Sequence, residues 1–246
     1  MPEMIVTVFF VGIVVFLAAT YWTHASPYSQ FFGKFIYRAK TDQKIVALTF
    51  DDGPNQPFTT ELLDFLKSQH IKATFFVVGK CVEKYPEVLK KIYADGHTIG
   101  NHSYSHQFSQ YFKQPTFRNE INKTQSIIKK TIGVSPALFR PPWLYRQPAL
   151  FSTLKKLAMK PISGTFCHPF EVANISAEKI ARYTIKNTKP GAIIIFHDGH
   201  DSHGGNRRQT VDSIKIVVKE LRVQGYEFVA VDKLLDIPAY KLKRRL

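Results

Sequence analysis

Short apolar runs alternate with longer amphipathic stretches over most of the chain, from residue 44 onward. Short apolar runs bounded by Gly, Pro or polar residues are typical of buried strands, whereas apolar residues spaced three and four apart are typical of helices. These patterns predict strands at 44–48, 73–78, 98–100, 138–140, in the run that ends at 162, and at 192–196 and 228–231. They predict helices at 58–69, 86–95, 116–132, 148–157, 176–186 and 210–224.

Strands that alternate with helices favour an α/β fold in which helices cover a parallel sheet, and about seven strands can close in a barrel-like way. Ligands of such folds bind at the carboxyl ends of the strands. Five residues with metal-binding or charged side chains fall at or just beyond such ends: Asp51, Asp52, His102, Arg140 and His197. We therefore expect them to share one site.

The beginning of the chain is a separate apolar segment. No charged side chain occurs from Met4 to Trp22, and about 20 apolar residues suffice to cross a bilayer. Tyr21 and Trp22 close the run where interfacial aromatic residues are common. A cleaved signal peptide is the alternative, but Pro2 and Glu3 stand where a basic start is usual and the small-residue cleavage site is weak. We expect a retained membrane anchor.

This interpretation divides the chain into a transmembrane anchor at 1–24, a juxtamembrane linker at 25–43, a catalytic domain at 44–240 and a basic tail at 241–246. The side of the membrane on which the domain lies is indicated less directly. Lys34, Arg38 and Lys40 follow the span, whereas only the amino terminus and Glu3 precede it. The positive-inside rule applied to these residues favours a cytoplasmic domain.

Charge and cysteine content change the picture only slightly. Lys and Arg total 34 against 19 Asp and Glu, a net charge of +15 that favours anionic surroundings such as phospholipid or phosphorylated glycan. The basic residues are scattered and no nucleic-acid recognition motif accompanies them, so we expect no nucleic-acid partner. Cys81 and Cys167 do not make a disulfide framework; free buried thiols are expected, and a single bridge stays open.

Candidate chemistry begins with Asp51 and Asp52, which a Gly53-Pro54 turn holds at the end of the first strand. Adjacent carboxylates repel, so one of them needs a cation or a proton. His102 and His106 are four positions apart and can face one ion. Two imidazoles and a carboxylate suit Zn²⁺ with a coordination position left open, although Co²⁺ or another first-row ion also fits. Each feature taken alone has an ordinary structural explanation, such as an exposed turn or a His-rich loop.

Four motifs together give a family resemblance. Their order and spacing resemble those of the polysaccharide deacetylases, carbohydrate esterase family 4, over residues 44–235; the motifs are Thr49–Pro54, His102–His106, Arg140–Pro142 and Ile195–Asp198. The resemblance implies a deformed (β/α)7-type barrel that removes N-acetyl groups from amino sugars of a cell-surface glycan, such as peptidoglycan or another N-acetylglucosamine polymer. It also implies an extracytoplasmic domain, against the charge argument.

The resemblance assigns roles by position. Asp52, His102 and His106 would bind the metal. Asp51 would be the general base that takes a proton from the attacking water, and Arg140 would keep it ionised and oriented. The acid that protonates the leaving amine would be His197.

The substrate-binding side departs from the family pattern at two places. Pro141 and Trp143 would contact the substrate, with the backbone amide of Trp143 stabilising the oxyanion, and Trp stands where the family usually has Tyr. The fourth motif, usually Asp-Trp, matches Glu171-Val172. Glu171 would then orient His197, and Phe170 would replace the lost aromatic wall.

Substrate and activity keep two alternatives. A lipid-linked amino sugar at the membrane is the first, motivated by the anchor, the basic charge and the cytoplasm-favouring flank. A glycan-binding relic without turnover is the second, and the altered fourth motif is its support. The sequence leaves the oligomeric state open.

Overall fold

The computed structural model describes residues 2–113, 115–173 and 175–242 of the protein, with side chains from residue 4 onward. Most of the expected basic tail, residues 243–246, lies outside this part. The strands are β1 Ile45–Asp51, β2 Thr74–Val77, β3 Thr98–Asn101, β4 Leu138–Phe139, β5 Lys160–Pro161, β6 Ile193–His197 and β7 Glu227–Phe228. The helices are α1 Pro2–His24, α2 Phe58–Ser68, α3 Gly79–Lys84, α4 Pro86–Ala94, α5 Thr116–Ile132, α6 Pro148–Lys156, α7 Ala177–Asn187, α8 Arg208–Val223 and α9 Val231–Leu235. Two short 3₁₀ segments add Phe108–Phe112 and Pro142–Leu144.

The described strands form one parallel sheet of seven, in the order β5-β4-β3-β2-β1-β6, with β7 pairing the start of β1. The parallel α/β fold expected from the alternating pattern is therefore confirmed. The register brings the carboxyl ends together: Asp51 lies level with His197 on β6, and Asn101, just before His102, lies level with Phe139, just before Arg140. Residues distant in the sequence thus meet at one edge of the sheet.

The sheet curls toward closure beyond β5. The backbone N–H of Ile162 donates to the Phe139 carbonyl on β4 at 2.8 Å, and a few residues later the Thr165 N–H donates to the Ile193 carbonyl on β6 at 2.7 Å. The Ile195 N–H returns a bond of 3.0 Å to the Phe166 carbonyl. The stretch after β5 therefore hydrogen-bonds to β4 and then to β6, which draws the two edges of the sheet toward each other.

The helices cover the sheet because their apolar residues recur at helical spacing. In α8 the buried side chains lie at such intervals, among them Val211, Ile214, Val218 and Leu221, and they join the main core with Leu48 and Phe50 of β1. Helix α5 ends at Gly133, whose φ of 76° is the left-handed conformation that favours glycine at a helix end.

The last predicted strand differs from the structure. We expected it at 228–231, but β7 ends at Phe228, and Val231 begins helix α9. The Ala230 carbonyl accepts the backbone N–H groups of Lys233 and Leu234, which starts the helical turn. A short apolar run does not distinguish a strand from a helix by its periodicity, which explains the error.

Helix α1 is the one described helix that is long and apolar enough to cross a membrane. The most apolar part of its Met4–His24 stretch is not buried against the rest of the protein. The segment after it, expected as a linker at 25–43, lies against the domain. Phe35 and Ala39 are buried, Ile36 pairs with Ile162, and Arg38 pairs with Ala192. In the structure this segment forms part of the surface of the folded domain.

Candidate active site

Three buried side chains meet at the carboxyl end of the sheet. Asp52 follows β1 with a left-handed φ of 74°, and its Oδ1 lies 3.3 Å from His102 Nε2 and 3.2 Å from His106 Nε2. The potential ligand atoms of all three residues lie within 4.8 Å of one another. The structure therefore brings together the three residues that the sequence predicts as metal ligands.

Oxygen atoms on the far sides of the two imidazoles indicate which ring nitrogen faces Asp52. His102 Nδ1 lies 2.7 Å from the Arg140 carbonyl oxygen, and His106 Nδ1 lies 2.7 Å from Asp201 Oδ1. In the neutral rings a proton on each Nδ1 faces one of these oxygens, so both Nε2 atoms present lone pairs to the carboxylate. Asp52 Oδ1 itself has no hydrogen-bond partner among the residues that the structure describes.

Three acceptor atoms that face one another need a cation or protons between them. Two imidazole nitrogens and a carboxylate oxygen are a ligand set of catalytic Zn²⁺ sites, with room for further ligands from the cavity side. The oriented Nδ1–H groups are the supporting contacts that metal-binding histidines commonly have. The residues present therefore fit a divalent ion.

Asp201, in the loop after β6, is a supporting residue that the sequence interpretation missed. Besides its contact with His106, its backbone N–H donates to Asp52 Oδ2 at 3.0 Å. Burial alone would lower the pKa of His106, but the Asp52 and Asp201 carboxylates raise it above its ordinary value. No motif spacing marks Asp201, because it reaches His106 only through the path of a loop.

Replacing Asp201 tests this support. We expect Asp201→Ala to weaken zinc affinity by about 10–100-fold, because His106 loses the acceptor that fixes its ring. Asp201→Asn keeps an acceptor oxygen and should lose less. Competition with a chromophoric chelator measures the affinity, with Asp212→Ala on the exposed face of α8 as the control. Equal affinity in Asp201→Ala and the wild type would contradict the assignment.

Asp51 and Arg140 form a buried ion pair beside the three potential ligands. Arg140, fully buried at the end of β4, donates from one guanidinium nitrogen to Asp51 Oδ1 and to Thr49 Oγ1, both at 2.7 Å. Its other terminal nitrogen donates to the Ser163 carbonyl at 2.8 Å, and the guanidinium stacks 4.1 Å from the Phe76 ring centre. These contacts hold the Asp51 carboxylate in one orientation at the cavity wall.

Glu171 and His197 form a second buried pair. Glu171 is 1% exposed, and its Oε2 lies 2.6 Å from His197 Nδ1. Its other oxygen accepts from the Thr210 hydroxyl and from the His197 backbone N–H. Burial alone would lower the pKa of His197, but the Glu171 carboxylate outweighs burial and raises it to about 9. The imidazole is therefore protonated at neutral pH, with Nε2 left for the cavity.

One cavity of about 680 Å³ joins these groups. Its lining includes Asp51, Asp52, His102, His106 and His197. Its volume falls in the range of about 300–1,000 Å³ that is usual for ligand sites. Two residues with predicted catalytic roles do not line it: Arg140 lies behind Asp51 and Glu171 lies behind His197.

The predicted substrate-contacting residues have different outcomes. Pro141 and Trp143 line the cavity, and the Trp143 ring centre lies 4.3 Å from that of His106. Phe170 is 65% exposed, and the lining on this side includes Pro169 and Val172 instead. The aromatic wall that we expected from Phe170 therefore lies outside the cavity, because the 168–172 turn directs Glu171 inward.

The turn after β1 is packed from below by Asp198. A Cβ on Gly53 would clash with the Asp198 carboxylate, which explains the need for glycine there. Thr59 donates a hydrogen bond to the Asp198 Oδ2 atom, and burial raises the pKa of Asp198 to about 7.

The two cysteines are unpaired. Burial raises the pKa of Cys81 to about 12 and that of Cys167, on the cavity wall, to about 11.

A wall of the cavity that the sequence did not predict comes from the beginning of the chain. Tyr21 and Trp22, in the last turns of α1, line it together with residues 25–28. The Tyr28 hydroxyl donates to the Thr165 carbonyl at 2.7 Å, across the cavity lining. The foot of the apolar helix is thus continuous with the site.

Comparison with known proteins agrees with this geometry. The family model described as polysaccharide deacetylase matches residues 38–162. A peptidoglycan-N-acetylglucosamine deacetylase of Bacillus cereus is 35% identical over 204 residues, which cover 82% of this chain and 93% of the relative. The crystal structure of the Bc1960 peptidoglycan N-acetylglucosamine deacetylase, bound to 4-naphthalen-1-yl-N-oxidanyl-benzamide, is similar with a TM-score of 0.79 and 29% identity, over 84% of this chain and 95% of that one.

A second solved structure shows the limit of fold similarity. The wild-type BA3943 protein of Bacillus anthracis, described as a pseudoenzyme of carbohydrate esterase family 4, matches with a TM-score of 0.75 and 24% identity, over 82% of this chain and 69% of that one. At this identity the likeness concerns the fold alone. The chemistry of the present chain therefore depends on its own side chains.

Proposed function

The chain belongs to the polysaccharide deacetylase family, and on that premise we propose that it is a metal-dependent hydrolase that releases acetate from N-acetylated amino sugars of a cell-surface glycan, with peptidoglycan as the first candidate. The observation that supports this most is the meeting, on one cavity, of three inward-facing acceptors with two buried and oriented charge pairs. Amide hydrolysis needs a base, an acid and stabilisation of an oxyanion, and each has a candidate here.

The proposed metal ligands are Asp52 Oδ1, His102 Nε2 and His106 Nε2. A divalent ion bound there polarises the amide carbonyl and lowers the pKa of water to about 7. We name Zn²⁺ first because of the ligand set, with Co²⁺ as an alternative. Arg140 contributes twice, since its backbone carbonyl orients His102 while its guanidinium orients Asp51.

Asp51 is the proposed general base. Its carboxylate lines the cavity, and the Arg140 guanidinium holds it in place by a hydrogen bond of 2.7 Å. It accepts a proton from the water that adds to the acetyl carbonyl carbon. The backbone amide of Trp143 is the proposed donor to the oxygen of the resulting tetrahedral species, with the Trp143 side chain at the rim.

His197 is the proposed acid. Its Nδ1–H is held by Glu171 at 2.6 Å, so the proton on Nε2 is the one directed at the cavity. That proton passes to the sugar nitrogen as the carbon–nitrogen bond breaks, and the products are acetate and a free amino sugar. Glu171 reaches His197 despite its extra methylene, so the altered fourth motif no longer favours the alternative of a relic without turnover.

The pH dependence tests the Glu171–His197 pair. The acid form of His197 is lost as the pH rises through its pKa of about 9, so kcat/KM should fall on the alkaline side there. Glu171→Gln removes the charge that raises this pKa, and the alkaline limb should move to lower pH. Thr210→Val, which removes only a hydrogen bond to Glu171, should move it less. An unchanged alkaline limb in Glu171→Gln would contradict the pairing.

We also propose that α1 is a retained membrane anchor and that the domain faces the outside of the cell. Arg38 pairs with Ala192 within the folded domain, so it does not belong to a short flanking loop. Charges inside translocated domains contribute little to the positive-inside rule, which weakens the argument for a cytoplasmic domain. A topology reporter fused after Leu246 tests the side: a cytoplasmic signal would exclude action on the assembled wall.

The direct test of function uses the full chain, loaded with Zn²⁺ in detergent, and measures acetate release. Substrates are an N-acetylglucosamine oligomer, glycan strands of peptidoglycan and a lipid-linked N-acetylglucosamine. We expect acetate from at least one of them. A metal-loaded protein that binds these glycans and releases no acetate from any of them would overturn the proposal in favour of the relic.

A further inference from the structure

We propose that the site takes an amphiphilic substrate: an N-acetylated amino sugar whose attached lipid stays in the same bilayer as helix α1. This inference rests on the proposed deacetylase function and on a retained anchor. The observation that supports it is that two separate parts of the chain line the cavity. One wall includes Asp51, Asp52 and His102, and the other includes Tyr21, Trp22 and residues 25–28 from the foot of α1.

The foot of α1 marks the level of the membrane surface. The helix is apolar and exposed along its length, and its last aromatic side chains, Tyr21 and Trp22, are of the types that concentrate at membrane–water interfaces. Because these two side chains also line the cavity, the cavity opens at the depth of the lipid headgroups. A substrate that reaches this depth is one that the membrane itself presents.

The connection between helix and domain is built as a fixed junction. The Arg146 backbone N–H donates to the His24 carbonyl at 2.8 Å, and its guanidinium donates to the Ser29 carbonyl at 2.7 Å. Arg146 is fully buried and stacks 4.3 Å from the Phe35 ring centre. The Ser163 hydroxyl adds a bond of 3.1 Å to the Pro27 carbonyl. These contacts hold the active site at the membrane surface, whereas a flexible tether would let it search the wall.

A continuous series of aromatic contacts runs from the foot of the helix to the metal-site rim. We call this series the aromatic rim; it comprises Phe31, Phe32, His24, Tyr145, Phe112, Phe108 and Trp143. Neighbouring rings in it have centroids 4.8–6.0 Å apart, and Trp143 then contacts His106. Phe31 and Phe112 are 72% and 63% exposed. Exposed apolar patches of this kind mark interaction surfaces, and beside a membrane helix the contact surface is the bilayer interface.

The lining of the cavity suits a molecule with an apolar and a polar end. The lining includes the carboxylates and imidazoles of the metal site and also the apolar side chains Leu144, Phe166, Val172 and Ile195. A sugar head group with its acetamide at the metal site would leave its lipid directed toward the foot of α1. Anchoring enzyme and substrate in one bilayer also raises their effective concentration, and this gain needs no additional contact between them.

The test compares one sugar with and without a lipid. The full chain, loaded with Zn²⁺ in phosphatidylglycerol–phosphatidylcholine vesicles, is given N,N′,N″-triacetylchitotriose or its dodecyl glycoside, and acetate is measured. We expect kcat/KM to be at least about tenfold higher for the dodecyl glycoside. Equal values for the two substrates would overturn the inference. No acetate from either, or from the glycans tested above, would instead overturn the proposed function.

Matched variants separate the cavity wall from simple co-localisation. Tyr21→Ala combined with Trp22→Ala removes the helix wall while the anchor remains, and should lower the ratio of kcat/KM for the dodecyl glycoside to that for the free sugar by about five- to tenfold. Phe10→Ala combined with Phe16→Ala removes two exposed aromatic residues of the same helix outside the cavity and should change neither rate. Phe112→Ser removes an exposed side chain of the aromatic rim and should lower the preference for the dodecyl glycoside, as the Tyr21–Trp22 variant does.

The variants also define the contrary results. If the Tyr21–Trp22 variant retained the full preference for the dodecyl glycoside, or if the Phe10–Phe16 variant lost it to the same extent, co-localisation alone would explain the preference and the inference would be wrong. Zinc affinity, measured on each variant by chelator competition, should equal that of the wild type. This measurement shows that the metal site is intact in each protein compared.

Discussion

Asp51→Asn lowers kcat for acetate release by about 10²–10⁴-fold, the range expected when a positioned general base is removed. The structure gives the reason for choosing Asn. Arg140 donates to Asp51 Oδ1 at 2.7 Å, and an amide oxygen can accept the same bond, so geometry changes little while the proton acceptor is lost. Acetate release from an N-acetylglucosamine oligomer under saturating substrate gives kcat directly.

The neighbouring carboxylate provides the control for this prediction. Asp51 does not belong to the three-residue group around the potential metal position, whereas Asp52 does. Asp51→Asn should therefore bind Zn²⁺ like the wild type, and Asp52→Asn should bind it more weakly. If Asp51→Asn kept full activity, or lost zinc affinity as Asp52→Asn does, the division of roles between the two carboxylates would be wrong.

Asp51→Asn should also lower the stability of the fold, because Asp51 is the partner of the buried Arg140. The guanidinium is fully buried, and removing the charge of its partner leaves a buried cation without a counter-charge, a change that destabilises proteins by about 3–5 kcal/mol when the partner is lost entirely. The retained Asn acceptor should reduce this loss. Chemical denaturation measured beside the assay therefore separates lost catalysis from lost folding.

Much of the site could be predicted because it depends on strands. Asp51 and His197 end adjacent strands with equal register, and residues at parallel strand ends must meet at one edge. The potential metal ligands follow from the same rule, and their side chains needed only short turns to converge. In these places local sequence patterns were sufficient, since the sheet performs the long-range ordering.

Other parts depended on contacts that no local pattern encodes. Asp201 reaches His106 through a loop, and Thr210 reaches Glu171 from the start of α8. The composition of α1 predicts a membrane anchor, and nothing in it indicates that Tyr21 also lines the cavity. Phe170 is the converse case. The sequence placed it near the site, but the side-chain direction within the turn could not be read from spacing.

Metal removal is the second prediction with a large effect. We expect a chelator to reduce acetate release to background and added Zn²⁺ or Co²⁺ to restore it, because the three ligand atoms otherwise face one another as acceptors. Binding should also stabilise the fold, since a ligand at 100 times its dissociation constant adds about 2.7 kcal/mol. Thermal unfolding with and without Zn²⁺ measures this without reference to activity.

Asp52→Ala distinguishes the proposed centre from zinc binding elsewhere on the surface. This substitution removes the carboxylate that both Nε2 atoms face, so the stabilisation by Zn²⁺ should disappear at the same metal concentration. Asp212→Ala, on an exposed face of α8, should respond to Zn²⁺ as the wild type does. If Zn²⁺ stabilised Asp52→Ala as strongly as the wild type, or if the chelated wild type stayed fully active, the metal centre would have to be abandoned.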